Sequence, residues 1–395
     1  MAHTSSSPLR DSLLPDAADA TLVGRVIDPV TGHPCVVAVR GDRLADITSH
    51  APTTADLLDR TDIIELARFA EPDREWDLET VLRSSIDRDT DSVRLLSPFD
   101  LQVIKAAGVT FATSMLERVI EERSKGDPAG ADAVRAKVMS AIGGALDGVR
   151  PGSPEAAQVK HVLVEADLWS QYLEVGIGPD PEIFTKAPVL SSVGAGAQVG
   201  VLERSTWNNP EPEVVLAVTS RGEIVGAALG NDVNLRDFEG RSALLLGEAK
   251  DNNASCAIGP FVRIFDGGFD LDDVRAIDVA LTVEGADGFR LAETSSMSKM
   301  SRDLTDLVAH AFGPHHRYPD GFALFTGTLF APTQDRGAPG LGFTHHRGDV
   351  VRISSPELGS LVNEVTTAED APDWTFGIRD LFRSLAARGL IGVRS

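Results

Sequence analysis

A chain of 395 residues with 42% hydrophobic and 24% charged side chains has ordinary globular composition and is long enough for one large domain with a smaller companion. Its 59 acidic residues against 37 basic ones leave a net charge of −22, which excludes nucleic acid as an expected partner, because phosphate neutralisation needs a basic face. No apolar run approaches the roughly 20 residues needed to cross a bilayer and no basic segment precedes an apolar core at the start, so no membrane partner is expected and the cytoplasm is the expected location. Cys35 and Cys256 stand far apart without metal-binding spacing and read as two inert thiols in a reduced compartment.

In chain order, residues 1–20 are rich in Ser, Pro, Asp and Ala and read as a flexible arm. The alternating runs TLVGRVID and PCVVAVRGDRLADIT, joined through Pro29-Val30-Thr31-Gly32, predict a small β-meander. A helical patch at Thr54–Leu58 and a connection with one or two short helices complete a small N-terminal domain over 21–97. From residue 98 a larger domain begins. Met115, Leu116, Val119 and Ile120 fall at helical spacing, and Ser153-Pro154-Glu155 predicts the start of a helix that runs through to Gly176. After Pro188 the chain turns Gly-rich with short strands. Asp270–Asp278 reads as an acidic loop, Val279–Val283 as a strand, the segment from Asp303 as a helix, and Phe322–Thr326 and Val350–Ile353 as strands. Many short strands with few long helices predict a β-rich α+β domain rather than a doubly wound sheet.

Within it, Trp207–Asn253 holds the densest chemistry. Val214–Val218 and Ile224–Leu229, joined by Thr219-Ser220-Arg221-Gly222-Glu223, predict a β-hairpin. Glu211 and Glu213 stand at its entry, and an extended chain turns residues i and i+2 to one face about 6.6 Å apart. The hairpin returns Asp232 beside them. Three carboxylates with no neighbouring cysteine or paired histidine form a hard-oxygen set suited to magnesium, manganese or calcium. The same residues also fit a solvated strand end with a turn aspartate after Gly-Asn. Lys250, in the polar segment EAKDNN, is placed to share the cleft as an electrophile. The adjacent pairs His315-His316 and His345-His346 point in different directions and read as surface-loop residues, and Gly194-Ala195-Gly196 lacks the third glycine of a nucleotide fingerprint.

The order Glu-x-Glu, GNDVNLRD, a lysine, a hydroxyl-rich segment, Thr326-Gly327-Thr328 and GDVVRI with Gly359-Ser360-Leu361-Val362-Asn363 resembles the fumarylacetoacetate hydrolase superfamily over about Pro98 to Val365. With SPFDLQVIKAAGVTF ahead of SMLERVIEE, the chain is most similar to the sugar-acid dehydratase branch that acts on 2-keto-3-deoxy-D-xylonate or -arabinonate. The resemblance implies a mixed β-roll catalytic domain over 98–395 behind a small β-rich N-terminal domain, a divalent metal on Glu211, Glu213 and Asp232, Lys250 near the substrate, and a homodimer or homotetramer. Hydrolases of the superfamily carry a histidine and a glutamate three residues apart after a Gly-x-x-aromatic element. Aligned on Gly108-Val109-Thr110-Phe111, this chain has Ser114 at the histidine position and keeps Glu117. Without the imidazole a hydrolytic water lacks its base, so elimination is expected over acylpyruvate hydrolysis, with Glu117 as the base for the C3 proton. Ser114, Ser296, Ser298, Arg302 and Thr328 are the residues the resemblance places on the sugar acid, although serines ahead of a helix also serve as caps. The expected reaction is metal-dependent dehydration of a 2-keto-3-deoxy-pentonate to 2,5-dioxopentanoate. C–C hydrolysis of an acylpyruvate, or binding of a metal and keto acid without turnover, are the alternatives.

Overall fold

The computed structural model describes residues 9–111, 115, 119, 123, 149–165, 169–328, 334–336 and 342–391; Ser114 and Glu117 lie outside the described residues. The N-terminal meander is present as β1 (Leu22–Asp28), β2 (His33–Arg40) and β3 (Arg43–Asp46), turned at Gly32 and Gly41, whose positive φ angles suit glycine. β4 (Arg74–Asp77) adds to β3, and β5 (Arg94–Leu96) pairs with β1. The helix Thr54–Leu58 begins with a reciprocal cap between Thr53 and Asp56. Residues 9–20, which composition marks as loose, are tethered at Leu9–Leu13, a short helix whose first N–H groups donate to the Glu79 carboxylate and whose Leu13 is fully buried.

Further along, β6 (Val103–Gly108) is followed by the helices Pro154–Glu165 and Gln171–Ile177. The sequence predicts one helix here, but the Ser170 hydroxyl accepts the N–H of Tyr172 and starts a second. β7 (Glu182–Ala187), β8 (Gln198–Val201) and β9 (Asn208–Asn209) lead into the central hairpin, β10 (Pro212–Val218) and β11 (Ile224–Asp232). β12 (Asn234–Leu235), β13 (Cys256–Ile264), β14 (Asp278–Glu284), β15 (Arg290–Ser296), β16 (Phe322–Phe325), β17 (Val350–Ser355) and β18 (Gly359–Thr367) complete the strands. The expected acidic loop at Asp270–Asp278 instead holds the helix Leu271–Ala276, because the Asp270 carboxylate accepts the N–H groups of Asp272 and Asp273 and the Asp270 N–H donates to the Asp273 carboxylate in return.

An 11-stranded sheet runs β4-β3-β2-β1-β13-β11-β10-β16-β6-β7 with β5 beside β1, and a five-stranded sheet runs β15-β14-β17-β18-β8. Both are mixed, since β16 runs parallel to β6 and β18 parallel to β8. This is the β-rich α+β architecture the sequence predicts. Strand alternation divides the apolar side chains of the central hairpin between two cores. Val214, Leu216 and Val218 face the five-stranded sheet, with Leu281, Ile353 and Leu361. Val215 and Ala217 face the helices Thr54–Leu58 and Ile63–Phe69. With both faces covered, β10 and β13 are buried along their whole length and flank β11, which fixes Glu213 on β10 and Asp232 at the end of β11.

A buried ion pair ties the N-terminal strands to the entry of the large domain. Arg25 of β1 lies 3.6 Å from Asp100 and donates to the carbonyls of Ser97 and Phe99, while Asp100 caps Thr54 and Ala55. Removing one partner of such a pair leaves an uncompensated buried charge. Arg25→Ala is therefore expected to lower unfolding stability by about 3–5 kcal/mol, measured by denaturant titration. Arg43→Ala, which removes the exposed 3.9 Å contact with Glu75, should cost no more than about 1 kcal/mol.

Candidate metal centre

The entry of β10 and the exit of β11 meet where the hairpin register aligns Pro212 with Asn231 and Glu213 with Gly230. The Asp232 N–H donates to the Glu211 carbonyl at 3.0 Å, so the two acidic ends are stitched together by backbone. One carboxylate oxygen each of Glu211, Glu213 and Asp232 lies within 4.8 Å of the others, and all three residues are buried. Gly230, opposite Glu213, leaves room for the core beside the cluster, since a Cβ there would stand 2.3 Å from the Phe325 ring and 2.5 Å from Val215.

Two ammonium groups enter the cluster. Lys250 donates to Glu211 and, at 2.9 Å, to Asp232. Lys186 of β7, fully buried, lies 2.8 Å from the other Asp232 oxygen and donates to the carbonyls of Val233 and Lys250. Glu213 instead takes the Gly327 N–H at 2.6 Å, and Glu211 takes the Asn234 amide at 3.3 Å. Gly327 has φ +92°, and a Cβ there would meet Thr110 Oγ1 at 2.0 Å, so the turn after β16 accepts only glycine at that place.

This asymmetry separates the carboxylates. Burial, then Asp232 and Glu211, push the Glu213 carboxyl well above the usual glutamate range. Burial opposes ionisation of Asp232 too, but Lys186 and Lys250 outweigh it and hold Asp232 below its ordinary value. Three carboxylates against two ammonium groups leave one negative charge, and an all-oxygen, buried set of this size fits a hard divalent cation.

Ala107, Gly108, Val109, Glu182, Phe184, Glu239, Gly327 and Thr328 line the remaining wall of the same cavity with Glu211, Glu213, Asp232 and Lys250. Thus Glu211, Glu213, Asp232, Lys250 and Thr328 come together. Ser296, Ser298 and Arg302, expected on the substrate, are not among the described residues that line this cavity. Ser296 and Ser298 bond to each other at 2.9 Å on an exposed stretch. Arg302 spends its guanidinium on the carbonyls of Val175, Gly178 and Pro179 and on Asp306, fastening the C-terminus of Gln171–Ile177. Ser114 and Glu117 are outside the described residues.

Sequence reasoning missed Lys186, Glu182 and Glu239. A lysine at period two with Glu182 and Phe184 in EIFTKA was the available signal for β7. It also misplaced His345, which is buried rather than on a surface loop. Its Nδ1 lies 3.3 Å from Asp349, and Arg336 donates to the same carboxylate at 2.8 Å. Against the cost of burial, these bonds hold Asp349 down to about 2. His346 and the pair His315-His316 are exposed.

The fumarylacetoacetate hydrolase C-terminal family model matches residues 179–366, which include the carboxylates, both lysines and Gly327. A probable 2-keto-3-deoxyxylonate dehydratase of Haloferax volcanii is 34% identical over 203 residues, covering 51% of this chain and 66% of that protein. A 2-dehydro-3-deoxy-D-arabinonate dehydratase of Saccharolobus solfataricus is 29% identical over 185 residues, covering 47% of this chain and 58% of that protein. Both matches span less than two thirds of the relative. Among solved structures, a 2-keto-3-deoxy-D-arabinonate dehydratase complexed with magnesium and 2,5-dioxopentanoate superimposes over 88% of this chain and 99% of its own, with a TM-score of 0.62 at 21% identity. Residues 179–366, just under half of the chain, thus form a domain of the fumarylacetoacetate hydrolase superfamily.

Proposed function

We propose that the protein is a hydro-lyase that dehydrates a 2-keto-3-deoxy-pentonate, of the D-xylonate or D-arabinonate series, to 2,5-dioxopentanoate. The observation that carries this reading is the convergence of Glu211, Glu213 and Asp232 with Lys250 in one buried cavity. Support comes from the two relatives named as dehydratases of these acids, and from the structural neighbour solved with magnesium and this product.

Glu211, Glu213 and Asp232 would hold magnesium, or manganese or calcium in its place, and a bound divalent cation polarises a 2-keto group and acidifies the protons on C3. Lys250 and Lys186 keep Asp232 ionised, and Lys250 adds positive charge where the enolate oxygen develops. Glu117 takes the C3 proton. The electron pair of the enolate then forms the C3–C4 double bond as the C4–O bond breaks, and the leaving hydroxyl takes a proton from a general acid and departs as water. Loss of a proton from C5 and its return at C3 give the C4–C5 enol, which tautomerises to the terminal aldehyde. No helix among the described residues is long and apolar enough to cross a membrane, and the proposed substrate is a small anion of the aqueous phase.

Incubation with 2-keto-3-deoxy-D-xylonate or -arabinonate and magnesium should yield semialdehyde, followed through a coupled aldehyde dehydrogenase. EDTA should abolish it and Glu213→Gln should reduce it to background. Pyruvate as the product would refute dehydration in favour of C–C cleavage.

A second expectation concerns pH. A carboxyl whose folded value is raised stabilises the metal-free protein fully below the ordinary value of 4.5, and that contribution is lost as pH rises through its higher folded value. A cation needs Glu213 ionised and reverses the dependence. Magnesium should therefore raise the melting temperature more as pH rises through that window, with about 2.7 kcal/mol of stabilisation at a hundredfold excess over Kd. Glu213→Gln should flatten both curves.

A further inference from the structure

We infer that Thr110 is a positioning residue for the metal centre: its hydroxyl grips one side of the peptide unit whose other side holds Glu213. The inference rests on the metal site of the reading above and is independent of which keto acid binds there. A peptide unit carries its carbonyl and its N–H on opposite sides of one plane. In the unit that joins Thr326 to Gly327, the Thr326 carbonyl accepts the Thr110 hydroxyl at 2.7 Å and the Gly327 N–H donates to Glu213 Oε2 at 2.6 Å. Thr326 follows the last residue of β16, so its carbonyl lies past the strand and is met by a side chain instead. A bond to the carbonyl polarises the whole unit and strengthens its N–H as a donor. It also stops the plane from rotating, and with it the carboxylate that the N–H holds.

The surroundings keep Thr110 in that place. β6 and β16 run parallel, with Phe325 opposite Ala106, so the turns that follow them lie side by side at one end of the sheet. Thr110 and Thr326 are both fully buried there. Val109, just ahead of Thr110, has φ +57°, a left-handed conformation that a β-branched residue adopts only where its surroundings impose it. Ser301 holds the far side of that kink, donating its N–H and its hydroxyl to the Thr110 carbonyl at 2.8 and 2.9 Å. Thr326 is fixed in the same manner: its N–H and hydroxyl donate to the carbonyl of Val214, the residue after Glu213, at 3.1 and 2.9 Å. A Cβ at Gly327 would stand 2.0 Å from Thr110 Oγ1, so glycine at that place lets the hydroxyl close on the peptide. Three segments from distant parts of the chain thus converge on one peptide plane, and Gly327, whose N–H that plane aims at Glu213, lines the cavity.

The test reads magnesium affinity by calorimetry beside the melting temperature of the metal-free protein. Thr110→Val keeps the shape of the side chain and removes the donor. It should weaken magnesium binding by about 10- to 100-fold, the range found for groups that orient metal ligands. Thr110→Ser restores the hydroxyl and should bind magnesium within about threefold of wild type. Thr110→Ala carries the same expectation as Thr110→Val and takes its place if that variant does not fold. Ser84→Ala removes a buried hydroxyl from the carbonyls of Val81 and Val93 in the N-terminal domain, so it should lower the melting temperature and leave magnesium affinity unchanged. Affinity retained without the Thr110 hydroxyl, an equal loss in Thr110→Ser, or an equal loss in Ser84→Ala would each overturn the inference. Wild-type protein that binds no magnesium would overturn the metal reading and this inference with it. Wild-type protein that binds magnesium but dehydrates neither epimer would overturn the dehydration reading alone, and the affinities would still decide the role of Thr110.

Discussion

Ionised groups withdrawn from water must neutralise one another, and this constraint governs the heart of the molecule. Glu211, Glu213, Asp232, Lys186 and Lys250 are all buried, and each ion would cost several kcal/mol to hold there alone. They can persist only if strands from distant parts of the chain deliver them within bonding distance together. The sheet order answers that demand: β10 and β11 bring the acids, β7 brings Lys186, and the turn after β16 brings the Gly327 N–H. The apolar cores on both faces of β10 and β13 hold those strands rigid, so packing and charge placement are one problem.

The uneven sharing of cations inside the cluster gives the carboxylates different tasks. Asp232 is gripped by two lysines and stays charged, whereas Glu213 touches neither and is the one most sensitive to what binds.

How much of this was legible depended on sequence distance. Glu211, Glu213 and Asp232 could be grouped from the sequence because strand alternation and a five-residue hairpin loop are local rules. Lys250 followed from its polar surroundings. Lys186 and Glu182 could not be placed because their partners are set by β7 lying at the far edge of the large sheet, a long-range fact. Arg302 looked like a ligand-binding cation in a hydroxyl-rich stretch, yet three backbone carbonyls of a helix end claim it. His345 was hidden by its neighbour: adjacent histidines do point apart, and the one that turns inward meets Asp349 and Arg336.

The hydrogen bonding of β1 to β13, with Leu22 opposite Arg263 and Val23 opposite Val262, bears on how the chain can be divided. The family-matched segment starts only at residue 179, well after β1, yet β13 lies inside it. Excising the matched segment would strip β13 of its neighbour and present a long, apolar strand edge to other chains, the geometry that favours edge-to-edge aggregation. β1 acts as a built-in guard for part of that edge, and a soluble minimal version has to retain it or substitute for it.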